Sequence, residues 1–221
     1  MNPPDEFTWK QITALGVKLA GPAEYARTVE KGVESAKSVA DGFTSGPWVD
    51  AGQVTTLHWA AYKDVYPWAG QFRRTPLVRG EESWSEPGLI RSDLKTLNNR
   101  SRDWFQSEDV NVIAKEMAAY NAAFYKIHPF LEGNYIVGTL LLEHQAREIF
   151  GRKIHIRSDE LVYRAALETA LKGNFSPLAK QIIEHCGLSR VAESHAVSKL
   201  MSEASQQLKE KEKEKGMEQS W

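Results

Sequence analysis

The run from Val137 to Phe150, with Leu140-Leu141-Leu142 at its middle, constrains this chain more than any other stretch. Its apolar residues fall on more than one side of the helix they would form, so that helix has to be buried on most sides. Gly151 is a natural stop for it. Immediately ahead lies His128-Pro129-Phe130-Leu131-Glu132-Gly133-Asn134, which sets a general base, a hard-metal ligand and a short Gly-Asn turn within seven residues. A polar loop thus sits at the head of a helix that other elements must enclose.

Those other elements are mostly helical by their periodicity. From Trp9 to Lys37 the pattern is helical through Ile12, Leu15, Val17 and Leu19, with a break at Gly21-Pro22, where proline suits the first turn of the next segment, Ala23 to Val39. Ala51 to Lys63 reads as a helix with Val54, Leu57 and Ala61 on one side. Leu89 to Phe105 and Val110 to Ile127 are helical too, the latter with Met117, Tyr120, Phe124 and Ile127 as its apolar stripe. Asp159 to Leu171, with Ser158 as N-cap, and Pro177 to His185, started by Ser176, add two shorter helices. The stretch Gln71 to Trp84 differs, with Pro76, Gly80 and beta-favouring residues such as Phe72, Thr75 and Val78, and reads as an irregular hairpin or flap.

Composition narrows the function. The 221 residues carry 28 Lys+Arg against 29 Asp+Glu, a formal net charge of -1. No global field draws the chain to nucleic acid or anionic lipid, and neither is expected as a partner. The single cysteine, Cys186, rules out an intramolecular disulfide framework and fits a reducing compartment. The N-terminus lacks the basic start and apolar stretch of a secretory signal, and no apolar run is long enough to span a membrane. A cytoplasmic location is expected, and export by a route needing no such signal is compatible with it. Lys209 to Lys215 alternates charge at every step, which places like charges four apart on a helix, and reads as a solvated tail.

Two separated signatures make the chain resemble the Fic (Fido) family. The upstream one is Leu57-His58 followed by Asp64-Val65-Tyr66-Pro67-Trp68-Ala69-Gly70. The downstream one, Ile127 to Asn134, is similar to the first seven positions of the motif HPFx(D/E)GNGRxxR. The resemblance implies a mostly alpha fold, a helical core with a small beta-hairpin flap. Residues 51–187 would form the Fic-like domain, 1–50 a helical N-terminal extension and 188–221 a charged tail, helical or disordered.

The resemblance also assigns roles. His128 would be the general base for a Ser, Thr or Tyr hydroxyl of a target protein, a task that suits an imidazole because its ordinary pKa lies near neutrality. Glu132 would hold Mg2+ against a nucleotide such as ATP. Gly133, Asn134 and Tyr135, at the head of the following helix, would line the place of its phosphates, with backbone N–H groups and the Asn134 amide forming an anion hole. Phe130 would anchor the loop. Thr75, Pro76, Leu77, Val78 and Arg79 would receive a target segment by strand addition. A regulatory or antitoxin-like partner is the other kind of partner implied.

The chain then departs from the motif. Tyr135 stands where the family has glycine, and Ile136 and Thr139 stand where it has arginines. A phenol should obstruct the phosphates or cap the hole. Each lost charge-assisted bond is worth about 1.5–3 kcal/mol, so ordinary ATP-dependent AMPylation should be impaired. Arg147, or Arg73, Arg74 and Arg79 of the flap, could bring a cation from elsewhere.

Plainer readings stand beside these. His128 also reads as a capped helix-terminal histidine, Glu132 as a loop carboxylate and Asn134 as an N-cap. Trp84 and the flap arginines read as surface residues. His144, His155, His185 and His195 show no metal-ligand spacing. Ser189 to Ser194 faintly resembles an inhibitory (S/T)xxxE(G/N) helix. Two functions follow. One is a divergent transferase moving a nucleotidyl, AMP-like or other phosphate-containing group to a protein hydroxyl. The other is a catalytically silent binding or regulatory module.

Overall fold

Local chemistry starts the helices where side chains can satisfy their first N–H groups. Asp50 Oδ1 accepts from the Gln53 N–H at 2.8 Å while Gln53 Oε1 accepts from the Asp50 N–H at 2.9 Å, a reciprocal cap that the sequence reading had not registered. Asp109 similarly accepts from the Asn111 N–H at 2.8 Å. This computed structural model describes residues 6–79, 82–102, 107–156, 160–195, 199, 201–203 and 206. Among them the helices are α1 (Glu6–Ala14), α2 (Pro22–Asp41), α3 (Ala51–Tyr62), α4 (Ile90–Ser101), α5 (Val110–Ile127), α6 (Asn134–Phe150), α7 (Glu160–Leu171) and α8 (Ser176–His185). Residues 189–195 are helical as well.

Several boundaries differ from expectation. α1 stops at Ala14, because the chain turns at Leu15 and Gly16, whose N–H groups reach back to Ile12 and Thr13. Leu15, Val17 and Leu19 still pack on the core from irregular backbone. α6 begins at Asn134, not Val137, so the end of the motif is already helix. A short 3-10 turn, Pro87–Leu89, precedes α4. Ser158 and the Lys209–Lys215 run lie outside the described residues.

The fold is mostly helical. Of the Gln71–Trp84 stretch, only β1 (Val78–Arg79) and β2 (Glu82–Ser83) pair, antiparallel with Val78 opposite Ser83 and Arg79 opposite Glu82. The remainder of that stretch is irregular among the described residues.

α5 and α6 lie between two apolar clusters. Tyr120 and Phe124 of α5, with Val137, Leu140 and Leu141 of α6, pack against Val29 and Val33 of α2 and Val54 and Leu57 of α3. Met117 and Leu142, on other faces of the same two helices, pack with Tyr163 and Leu167 of α7 and with Leu178 and Ile182 of α8. Each such side chain contributes about 1.5–3 kcal/mol by leaving water. Helix α2 belongs to the same core as α3, and Gly32 is what permits the approach: a Cβ there would lie 2.0 Å from the Ala61 carbonyl oxygen. No helix among the described residues is long and apolar enough to cross a membrane.

Candidate active site

The loop 128–133 joins α5 to α6, and four separate devices hold its shape. Proline disfavours helical backbone in the residue before it, and His128 ends α5 in the left-handed region at φ 50°, ψ 62°. It is the one non-glycine residue with positive φ among the described residues. Phe130 is fully buried and stacks on the His58 ring at 3.9 Å and 18°. Asn134 Oδ1 accepts from the Phe130 N–H at 2.9 Å, and Nδ2 donates to the Phe130 carbonyl at 2.8 Å. Gly133, at φ 85°, passes so close to α3 that a Cβ would sit 2.4 Å from Tyr62 Cε2.

His58 links this loop to the upstream signature. The Gly70 N–H donates to its Nδ1 at 2.8 Å, so the ring proton must be on Nε2, which donates to the Glu132 carbonyl at 3.0 Å. Burial pushes its pKa down to about 4, with the Glu132 carbonyl opposing the fall. The imidazole is therefore a neutral crosslink with a fixed tautomer.

His128 is half-buried beneath Trp84, whose ring stacks on it at 4.5 Å and 27°, and Tyr125 meets it edge-on at 5.4 Å. Burial lowers its pKa to about 4, the Tyr125 carbonyl pulling upward and the Arg73 guanidinium adding to the fall. The ring is neutral at pH 7 and able to accept a proton. Arg73, read from the sequence as a surface residue, is 3% exposed. Its Nε donates to the His128 carbonyl at 2.7 Å, Nη1 to Thr75 at 3.0 Å, and Nη2 to the Ser85 carbonyl. Its own N–H donates to the Pro129 carbonyl at 2.9 Å. One guanidinium thus ties both arms of the flap segment to the loop.

Glu132 Oε1 accepts from the Gly133 N–H at 2.8 Å. Burial raises its carboxyl pKa, opposed by that N–H and by the charge of Arg164. Helix α6 starts without a side-chain cap, so the N–H groups of Asn134 and Ile136 lie before the reach of its internal ladder. Tyr135 turns to α7, its ring edge-on to Tyr163 at 5.4 Å with the Arg164 guanidinium 3.9 Å above it. Ile136 and Thr139 are buried, and Thr139 Oγ1 donates to the Ile136 carbonyl at 2.8 Å.

This loop and the helices on either side of it fall within residues 48–146, which match the model of the Fic/DOC family. That stretch is similar in sequence to Fic/DOC domains. Over 141 residues the chain is 28% identical to the "Probable protein adenylyltransferase y4lH" of Sinorhizobium fredii, covering 61% of this chain and 71% of that one. The fold is similar to that of the BepC protein of Bartonella tribocorum, solved with bound AMPPNP (TM-score 0.62, 19% identity, 76% of this chain and 90% of that). It is similar also to the N-terminal Fic domain of a VirB-translocated Bep effector protein of Bartonella quintana, solved with bound ADP (TM-score 0.62, 20% identity, 76% and 87%).

Within the matched residues, His128, Glu132, Gly133 and Asn134 come together with Tyr135 at one end of α6. The Asn134 amide hydrogen-bonds to Phe130 at both ends, through Oδ1 and through one of the two N–H groups of Nδ2. The Tyr135 ring, expected to obstruct the phosphates or cap the hole, packs against α7. Arg147 brings no cation either, because it binds Asp41 and the Ala40 carbonyl at the far end of α2. Thr75 and Pro76 are exposed and Leu77 is half-buried, leading into β1 with Val78 and Arg79. Arg74, on the same segment, lines a cavity of about 520 Å³ with Phe72 and Arg91. Residues 189–195 pack on the start of α5, where the Asn111 amide donates to the Ala192 carbonyl at 2.9 Å and the Val110 N–H donates to His195. That places the faintly inhibitory-looking segment at the opposite end of α5 from His128. Among the described residues no group of three or more His, Cys, Asp or Glu could hold a metal ion.

The sequence reading gave His58 no role beyond its place in the upstream signature, offered Arg73 only as a source of a cation, and did not single out Arg164. His58 carried a signal, being a histidine on the apolar face of a helix and next to Leu57. Arg73 and Arg164 had none beyond their charge.

Proposed function

We propose that the chain carries a Fic/DOC domain that transfers a nucleotidyl, AMP-like or other phosphate-containing group from a donor to a protein hydroxyl, with ordinary ATP-dependent AMPylation impaired. The observation that carries the reading is the neutral imidazole of His128, fixed by Arg73 and Trp84 beside Glu132 and the uncapped head of α6. In the step, the hydroxyl oxygen bonds to the donor phosphorus as the bond from that phosphorus to the leaving phosphate oxygen breaks. The leaving oxygen keeps the electron pair. The hydroxyl proton passes to His128 Nε2, since Nδ1 is buried against the protein. The backbone N–H groups at the head of α6 stabilise the charge gathering on phosphate oxygens. Thr75 to Arg79 would align the target segment by strand addition.

Glu132 fits a Mg2+ site as its one protein carboxylate, because magnesium completes its shell with phosphate oxygens and water. Its desolvated carboxyl is the kind whose charged form a cation favours. The metal would neutralise phosphate charge when bound. The similarity to a probable protein adenylyltransferase and to proteins solved with AMPPNP or ADP supports a nucleotide as donor.

A second reading, a catalytically silent Fic-like binding module, is favoured by the burial of Ile136 and Thr139, which puts apolar groups where the motif carries charge. One experiment separates the two. The purified chain is incubated with Mg2+, a panel of labelled nucleotides and a cell lysate. Labelling that disappears in His128→Ala is expected. The absence of labelling, together with no nucleotide-dependent thermal shift, would favour the module.

A further inference from the structure

We propose that Arg164, carried on α7 and seated on the ring of Tyr135, is the cation that grips the donor's phosphates, replacing the charge absent at Ile136 and Thr139. The inference rests on the reading of this cleft as a donor site, and names the residue that would hold its phosphoanhydride.

Two observations carry it. The guanidinium carbon lies 3.9 Å from the centroid of the Tyr135 ring, and Tyr135 is the second residue of α6, at the end where an anion is favoured. In addition, its side chain is half exposed, and Glu160 Oε1 takes its Nε at 3.0 Å and Nη2 at 2.7 Å but not Nη1. A guanidinium held along one edge keeps donors for a second acceptor.

Two of the other candidate cations are committed elsewhere. Arg73 spends its donors on carbonyls of the loop and flap, and Arg147 is paired with Asp41 at the far end of α2. Tyr135 then has a purpose in this chain. A glycine would give Arg164 no surface to rest on, whereas a phenol ring attracts a guanidinium to its face. Glu160 becomes the internal competitor, neutralising Arg164 until phosphate arrives.

The test is calorimetric binding of ADP, ATP and inorganic pyrophosphate, each with Mg2+, with adenosine as the phosphate-free control. Arg164→Ala is expected to weaken ADP binding tenfold or more and to leave adenosine unchanged, and Arg164→Lys to recover part of the loss. Glu160→Gln is expected to tighten ADP binding about threefold by releasing the guanidinium, which a purely structural ion pair would not do. If the wild type binds ADP and neither Arg164→Ala nor Glu160→Gln alters its affinity, Arg164 is not the phosphate ligand, and the donor site itself stands. If the wild type binds none of the phosphate compounds, the donor-site reading fails and this inference falls with it.

Discussion

Gly133 shows how one residue decides the shape of the site. It sits at φ 85° with Tyr62 Cε2 2.4 Å and His58 Nε2 3.2 Å from the place of a Cβ. Any side chain meets two obstacles at once, a left-handed backbone and two rings buried in the core. Gly133→Ala should therefore cost about 2–4 kcal/mol of stability, more than positive φ alone. Chemical denaturation would measure it, and a loss under half a kilocalorie would mean that the loop can move away from α3. Asn134 illustrates how type and use diverge. Its identity suits an anion hole or an N-cap, and its actual hydrogen bonds close the loop around Phe130.

At the scale of elements, the flap segment governs the proton affinity of His128. Trp84 covers His128 at 4.5 Å, and burial is the largest cause of the imidazole's low pKa. Trp84→Ala should hydrate the ring and raise its pKa from about 4 toward the ordinary 6.5. An NMR titration of His128 in the two proteins would read this directly, and an unchanged midpoint would show that Trp84 does not desolvate it. The acid limb of any activity should move upward in pH with it. Such a relation was not legible in the sequence. Periodicity placed α5 and α8 to within a residue, and put His128, Glu132, Gly133 and Asn134 together because they are neighbours in the chain. The contacts of Trp84, Arg73 and Arg164 join residues far apart in sequence, and charge or aromaticity alone does not say which partner each will meet. The end of α1 escaped for a related reason: Leu15, Val17 and Leu19 are half-buried by tertiary packing, which mimics a helical stripe without a helix.

Across the whole molecule, the buried histidines make stability depend on pH in one direction. Burial lowers the pKa of His58 and of His128 to about 4, and also lowers that of His144. Unfolded, each would titrate near 6.5, so between pH 6.5 and 4 the unfolded chain binds more protons than the folded one. Stability is then fully present above pH 6.5 and is lost as pH falls toward 4, with a slope on the order of 1.4 kcal/mol per pH unit for each of His58 and His128. Glu132 works the other way, because burial raises its carboxyl pKa and the folded state holds that proton longer. Burial raises the Glu116 carboxyl as well, so two carboxyls oppose three imidazoles and the histidines keep the direction. Urea denaturation at a series of pH values should show a fall in midpoint from pH 6.5 downward, and His128→Gln should reduce the slope by about one proton's worth. A flat profile between pH 7 and 4 would mean that His58 and His128 are hydrated. In that case the crosslink from His58 to the Glu132 carbonyl could not be what holds the loop, since a charged His58 would lose the Gly70 bond at Nδ1.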